Sequence, residues 1–200
     1  IDSIHTLYPY RIPTTHGMNF LSKYPATLLF DTVYSESSAI AIYQVKIEGH
    51  TVTVVNQHME SIGLTQTDKE LYHEITAHPN TDRLDEIKKH LLSKLMNAAE
   101  IRNRQADLTA EKIQNIPGNI IVCGDFNDTP MSYVYRTMAK GLNDAFSQCG
   151  SGYSHTFRGF FNTLRIDYVL SSEGFDALSY EVPTVDYSDH HPVVVRLRKN

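Results

Sequence analysis

The chain has 200 residues, of which 41% are hydrophobic and 20% are charged, and its formal net charge is -5. This balance is typical of a globular protein with a substantial core and excludes a largely disordered chain. The negative charge does not favour nucleic acid as a partner, although a local basic groove would still permit it. Two cysteines, Cys123 and Cys149, are too few for a disulfide framework or a thiolate zinc site.

The sequence contains no apolar run close to the ~20 residues that a membrane-spanning helix needs. No charged-then-apolar leader opens the chain either. The first residue is Ile1 rather than Met, which suggests that upstream sequence has been removed. We therefore expect a soluble domain, to which a lost upstream segment could have added a membrane anchor.

In chain order, the first clear elements are two β-rich runs within residues 39–58, separated by a Glu-Gly-His turn that predicts a hairpin. A capping-box pattern at residues 67–70 predicts the start of a short helix. A long helix is predicted from about Asp82 to Ile116, because apolar residues recur at spacings of three and four: Leu84, Ile87, Leu91, Leu95 and Ala98. Its basic residues are interpreted as a solvated face: Lys88, Lys89, Lys94, Arg102 and Arg104.

The strand "IIVCGD" at residues 120–125 follows, and Thr129 with Pro130 predicts a helix beginning at Pro130. After Gly150 the sequence turns β-rich, with segments at 154–158, 164–170, 176–184 and 192–197. No internal repeat or linker interrupts the chain, so residues 1–200 are treated as one domain. A long helix combined with many strands, without strict alternation, favours a layered α/β or α+β fold.

Two of these strands end in polar pairs. Because alternate residues of a strand share a face, Asn56 and His58 emerge together at one carboxyl end, and Asp125 and Asn127 do the same at the other. Ligand sites of layered α/β proteins lie at such ends. The alternatives are that His58 is a hydrogen-bonded core histidine and that Asp125 and Asn127 only make a turn.

Two further segments carry candidate residues. Asp167 lies inside the strand-like run "LRIDYVL", where a buried carboxylate needs a partner such as histidine. Asp189, His190 and His191 crowd together immediately before Pro192 and the last apolar segment. The alternatives are a solvated edge-strand aspartate for the first segment and an ordinary polar loop for the second.

Taken together, these segment ends predict one pocket with several carboxylates and histidines. Carboxylates that converge repel one another unless a cation is present, and oxygen ligands suit a hard ion such as Mg²⁺ or Mn²⁺. A histidine oriented by an aspartate beside a metal-binding carboxylate is suited to the attack of water on a phosphoryl centre.

Five short motifs resemble those of the endonuclease/exonuclease/phosphatase superfamily and follow the order in which that family carries them. Their sequences are similar to those of bacterial members from Bacteroides-type organisms. They are "LSKYP" at 21–25, "VVNQHMES" at 54–61, "GDFND" at 124–128, "RIDYVL" at 165–170 and "SDHHPV" at 188–193. The resemblance implies a four-layered α/β sandwich, in which two packed mixed β-sheets are flanked by helices and the site lies at one end.

The resemblance also implies a role for each candidate residue. His58 would stabilise the scissile phosphate or the leaving group, and Asp125 would position or deprotonate the attacking water. Asn127 would hold phosphate oxygens or the metal. Asp167 would orient His190, and Asp189 would be a metal-site carboxylate.

The chain departs from the family pattern at its start. Members of the family normally carry an Asn-bearing strand and a "QE" segment, whose Glu is a principal metal ligand, before the "LSKYP" motif. Only twenty residues precede Leu21 here, and none of them is Glu. We therefore expect that the N-terminal strands of the domain are missing, and that apolar surface is exposed where they would pack.

Two functions follow from the resemblance. The first is a metal-dependent phosphohydrolase that cleaves a phosphodiester or a phosphomonoester in a nucleic acid, nucleotide, phospholipid headgroup or sugar phosphate. The second is a catalytically impaired relative that binds a phosphorylated partner without hydrolysing it. The net charge weakly favours a small phosphoester over duplex DNA.

Overall fold

The computed structural model describes residues 2–14, 16–77, 84–159 and 163–200. The helices are α1 (Asp2–Leu7), α2 (Gln66–Ala77), α3 (Leu84–Gln114), α4 (Tyr133–Met138) and α5 (Ala145–Cys149). The strands are β1 (Tyr10–Ile12), β2 (Phe20–Ser22), β3 (Ala26–Ser35), β4 (Ser38–Ile47), β5 (His50–His58), β6 (Asn119–Asp125), β7 (Asn143–Asp144), β8 (Asp167–Ser171), β9 (Phe175–Glu181) and β10 (Val194–Lys199).

The largest sheet has six strands in the order β3-β4-β5-β6-β8-β7. Strands β5 and β6 run parallel, whereas the other neighbouring pairs are antiparallel, so the sheet is mixed. The long connection through α2 and α3 is what a parallel pair requires, because a short turn cannot return the chain to the same end of the sheet.

The predicted fold class is confirmed, since the chain is an α/β protein with a mixed sheet, further sheets and flanking helices. The further sheets differ in detail from the prediction. Among the described residues they are two-stranded and antiparallel, one made of β1 and β2 and the other of β9 and β10.

The two faces of the large sheet pack differently. On one face Val55, Val122 and Leu170 are fully buried against residues of α3 such as Ala106 and Ile113. The opposite face holds a smaller cluster of buried residues: Met18, Ala39, Ala41 and Tyr43. Because side chains alternate between the two faces along each strand, one face of the sheet packs on α3, and the other faces the smaller sheets and the site.

Two helix starts differ from the predicted ones. Helix α2 begins at Gln66, because Thr65 and Asp68 cap it reciprocally: the Asp68 carboxylate accepts from the Thr65 amide, and the Thr65 hydroxyl accepts from the Asp68 amide. Helix α4 begins at Tyr133 rather than Pro130, since the hydroxyl of Ser132 caps it. Residues 129–132 form a turn in which the Ser132 amide donates to the Thr129 carbonyl.

The long helix α3 spans Leu84–Gln114, and the predicted start at Asp82 lies outside the described residues. The predicted apolar stripe is only partly buried, because Ile87 and Ala98 are buried whereas Leu95 is 41% exposed.

The first three strand segments predicted after Gly150 are shorter in the structure, and the last is shifted to Val194–Lys199. Within 154–158 only Phe157 pairs, through isolated bridges to Leu164 and His190, and 164–170 becomes a strand only from Asp167. Both cysteines are free thiols.

No helix among the described residues is long and apolar enough to cross a membrane. The membrane anchor expected from the sequence stays a prediction.

Gly124 allows β6 to approach β5 closely just before the polar end of the strand. Its φ is +130°, and a Cβ placed there would lie 1.9 Å from the backbone oxygen of Gln57. No other residue fits this position without moving the neighbouring strand. The pairing of His58 with Asp125 therefore depends on residue 124 being a glycine.

We expect Gly124→Ala to destabilise the fold by more than about 3 kcal/mol, because the clash with Gln57 adds to the roughly 1–3 kcal/mol of backbone strain. Gly141→Ala is the matched control, since Gly141 has a φ of +75° with nothing within 4 Å of its added Cβ; it should cost only about 1–2 kcal/mol. Urea denaturation of both variants measures the difference, and equal losses would contradict this account.

Candidate active site

Three neighbouring strands bring candidate side chains to one end of the large sheet. His58 ends β5 and is the register partner of Asp125 at the end of β6. Asp125 is in turn the partner of Asp167, the first residue of β8. Because β8 runs antiparallel to β6, its beginning lies beside the end of β6, and the three side chains share one face.

Asp125 is the centre of the group. Its Oδ2 lies 3.5 Å from Nε2 of His58 and 3.8 Å from Nε2 of His190. The side-chain amide of Asn127 donates to the same carboxylate oxygen at 3.1 Å. One carboxylate thus contacts three of the other predicted site residues.

His190 and Asp167 form an oriented pair. Nδ1 of His190 lies 2.9 Å from Oδ2 of Asp167, so the ring's other nitrogen, Nε2, points toward Asp125. Phe157 packs against the imidazole with a centroid distance of 5.0 Å. This geometry matches the role that the family resemblance implied for the two residues, and the role itself stays a prediction.

Asn127 lies at a tight turn directly after β6. Its φ of +51° is one that asparagine tolerates better than most residues, and its amide N–H donates to Oδ1 of Asp125 at 2.7 Å. Its side chain also donates to the Met59 carbonyl at 2.9 Å. Between the two polar residues, Phe126 is fully buried and tilts against Tyr168, which fixes the turn to the core.

Asp189 is not part of this cluster. Its side chain is exposed, and its carbonyl accepts from the amide of Arg158. It contributes to the site only as a nearby negative charge that helps to raise the pKa of His190. The structure therefore gives no geometric support for its predicted role as a metal-site carboxylate, which stays a prediction.

The electrostatics of the group explain its protonation behaviour. The hydrogen bond with Asp167 raises the pKa of His190, and the contact with Asp125 raises the pKa of His58. Burial raises the pKa of Asp125, and the nearby charge of Asp167 adds to this effect. Without a further positive charge, Asp125 is thus a carboxylate whose ionised form is disfavoured.

The donor atoms present fit a divalent cation. One oxygen each of Asp125 and Asp167 and one nitrogen of His190 lie within 4.8 Å of one another. A cation there would relieve the repulsion between the two carboxylates, and water or substrate oxygens would complete its shell. This cluster differs from the sequence prediction, which named Asp189 as the metal ligand.

A cavity of about 410 Å³ opens beside Asp167 and His190. Its walls come from the large sheet and from the loop before β10, and include Asn56, Cys123, Val185, Tyr187 and Pro192. This volume lies in the range of small-molecule sites. Asn56, predicted to accompany His58, therefore lines the cavity instead of joining the central cluster.

The sequence did not reveal Thr156 as a supporting residue. This fully buried threonine accepts the backbone amides of Ile166 and Asp167 on its Oγ1, both at 3.1 Å. It holds the chain just where Asp167 enters β8. No pattern in the sequence marks it, because a lone threonine in a β-rich segment is ordinary.

The interpretation of Arg102 as solvated surface is wrong. Its side chain is only 5% exposed and pairs with Asp128, which directly follows Asn127. The signal was present in the sequence, because Arg102 continues the helical spacing from Ala98 to Ala106, and both of these alanines are buried. A charged residue on a buried helical stripe needs a partner.

Comparison with known families decides the membership of the chain. The model of the endonuclease/exonuclease/phosphatase family matches residues 5–190. The chain belongs to this family. The activities in the family's name all cleave phosphoester bonds, so the chain belongs to a family of phosphoesterases. A comparison with curated protein sequences found no significant match.

Several solved structures share the fold. An endonuclease/exonuclease/phosphatase from Bacteroides vulgatus is 19% identical, with a TM-score of 0.58 over 91% of this chain and 69% of that one. A mannosyl-6-phosphatase from Bacteroides thetaiotaomicron is 19% identical, with a TM-score of 0.56 over 90% and 69%. The catalytic domain of human Nocturnin is 16% identical, with a TM-score of 0.55 over 91% and 63%.

We expect Asp167→Asn to lower the pKa of His190 toward its ordinary value of about 6.5, while the pKa of His58 stays raised through Asp125. Because the folded pKa of His190 exceeds its unfolded value, the Asp167 contact stabilises the fold fully below about pH 6.5. This contribution is lost as the pH rises through the folded pKa. NMR titration of the imidazole signals in EDTA tests the shift, and an unchanged His190 would contradict the pairing.

Proposed function

We propose that this chain is a divalent-cation-dependent phosphoesterase that hydrolyses a small phosphomonoester or phosphodiester. The observation that carries the proposal is the arrangement of His190, whose Nδ1 is held by Asp167 at 2.9 Å while its Nε2 faces Asp125. A histidine oriented in this way beside a second carboxylate is suited to hydrolysis.

In the proposed reaction, Asp125 orients a water molecule and accepts its proton. Its burial supports this role, because a raised pKa makes a carboxylate a better base near neutral pH. The protonated imidazoles of His58 and His190 then stabilise charge on the phosphoryl oxygens or the leaving group. The side-chain nitrogen of Asn127 lies 3.3 Å from Nε2 of His58, and it would hold a phosphate oxygen.

Asp125 and Asp167 would hold the cation through carboxylate oxygens, beside the imidazole of His190. His190 would not ligate it in this reaction, because a protonated imidazole has no free lone pair. When bound, Mg²⁺ or Mn²⁺ would neutralise negative charge on the phosphoryl group. Asp167 would thus have two roles, because besides holding the cation it orients His190 through the oxygen Oδ2. Each carboxylate has two oxygens, so one can face the histidine while the other faces the cation.

Several observations support a small substrate. The cavity beside His190 has a volume of about 410 Å³, and the net charge of -5 offers no general attraction for duplex DNA. The related fold of a bacterial mannosyl-6-phosphatase makes a sugar phosphate a reasonable first class to test. Nucleotides and phospholipid headgroups are the other small classes.

We expect hydrolysis of at least one member of a panel of sugar phosphates, nucleotides, phospholipid headgroups and short oligonucleotides in Mg²⁺ or Mn²⁺, and none in EDTA. His190→Ala should lower the rate by at least about 100-fold, as loss of an acid-base group commonly does. His50→Ala is the matched control, because His50 is exposed at the opposite end of β5.

An unchanged rate in His190→Ala would contradict the assignment. If the chain hydrolyses nothing on the panel but binds one of its members, and His190→Ala weakens that binding, the chain is instead a binding relative that does not turn over its ligand.

A further inference from the structure

Arg102 lies deep in the molecule between two loops that leave the active-site end of the sheet. It comes from the middle of α3, and its Nη1 donates to the carbonyl of Glu60 at 3.0 Å. Its Nε lies 3.4 Å from Oδ2 of Asp128. The Arg102 side chain is only 5% exposed, and a guanidinium so buried is stable only with such partners, so these contacts fix its place.

The two loops that Arg102 joins are those that carry the site. Glu60 follows His58 by two residues, and Asp128 directly follows Asn127. On the side of the site, the side-chain amide of Asn127 links the same loops, because it donates to the Met59 carbonyl at 2.9 Å. Arg102 therefore forms a second link between these loops, and it reaches them from helix α3 on the opposite side.

A neighbouring residue of α3 extends this support to the turn between β3 and β4, beside the end of β5 where His58 lies. Gln105 accepts the Glu60 amide at 2.9 Å and donates to the Ser38 hydroxyl at 2.8 Å. The Glu60 carboxylate accepts hydrogen bonds from three hydroxyls of the turn between β3 and β4: Ser35, Ser37 and Ser38. Ala39, directly after that turn, is the register partner of His58.

We propose that Arg102 is a positioning residue of the site, and that it sets the spacing between His58 and the pair Asp125 and Asn127. This inference rests on the proposed function, because positioning has a kinetic effect only if the site is catalytic. Arg102 touches neither the substrate space nor the central carboxylate. It acts through the Glu60 carbonyl and the Asp128 carboxylate, which it bridges with separate nitrogens of one planar group.

The test compares Arg102→Met and Arg102→Lys with the control Arg104→Met. Arg104 lies on the same helix, but its side chain is 75% exposed and, within the described part of the chain, pairs only with Glu100 one turn away. We expect Arg102→Lys to fold, because it keeps a positive charge opposite Asp128. One ammonium group cannot reproduce the planar bridge, so kcat should fall by about 10- to 100-fold while KM changes by less than about threefold.

The second readout is independent of activity. At a fixed pH, the ¹⁵N chemical shifts of the His58 ring should change in both Arg102 variants and stay at the wild-type values in Arg104→Met. If the wild-type protein hydrolyses no phosphoester, the proposed function fails, and the ring shifts still decide whether Arg102 positions His58.

The proposal is overturned if Arg102→Lys keeps both the wild-type kcat and the wild-type His58 shifts. It is also overturned if the activity lost by Arg102→Met equals the fraction of protein unfolded in circular dichroism, with normal ring shifts in the folded fraction. That result would make Arg102 a stabilising residue only.

Discussion

The structure of the site depends on the burial of one carboxylate, Asp125, at the point where three strands meet. Its strand partners are His58 on one side and Asp167 on the other, so the sheet's hydrogen bonds fix the lateral spacing of the group. A carboxylate so placed is stable when ionised only if positive charge or donors surround it. His58, Asn127 and His190 supply these, and a divalent cation would complete the balance.

The surrounding fold serves to hold that register. Gly124 lets β6 approach β5, and the buried Phe126 between the two polar residues fixes the turn to the core. On the far side of the sheet, α3 contributes both the apolar packing and the buried Arg102, which reaches the backs of two site loops. One helix therefore carries both stability and site geometry, which explains why a charged residue lies on its buried stripe.

Local patterns predicted much of this arrangement, because the period of two along β5 and β6 places His58 and Asp125 at strand ends. The spacing of apolar residues also located α3 and part of its buried face, although Leu95 is exposed. The sequence could not predict that Asp189 is exposed, since this depends on how the last loop folds over β8. Nor could it reveal Thr156 or the partners of Arg102, because those contacts join segments that are far apart in the chain.

The most direct test of the central claim, that these side chains form one phosphoester site, is a crystal structure grown with inorganic phosphate and Mn²⁺, the metal being located by its anomalous scattering. The account predicts phosphate oxygens within hydrogen-bonding distance of His58, Asn127 and His190, with Mn²⁺ beside them on the carboxylates. Phosphate and Mn²⁺ ordered elsewhere, with this end of the sheet empty at saturating concentrations, would contradict it.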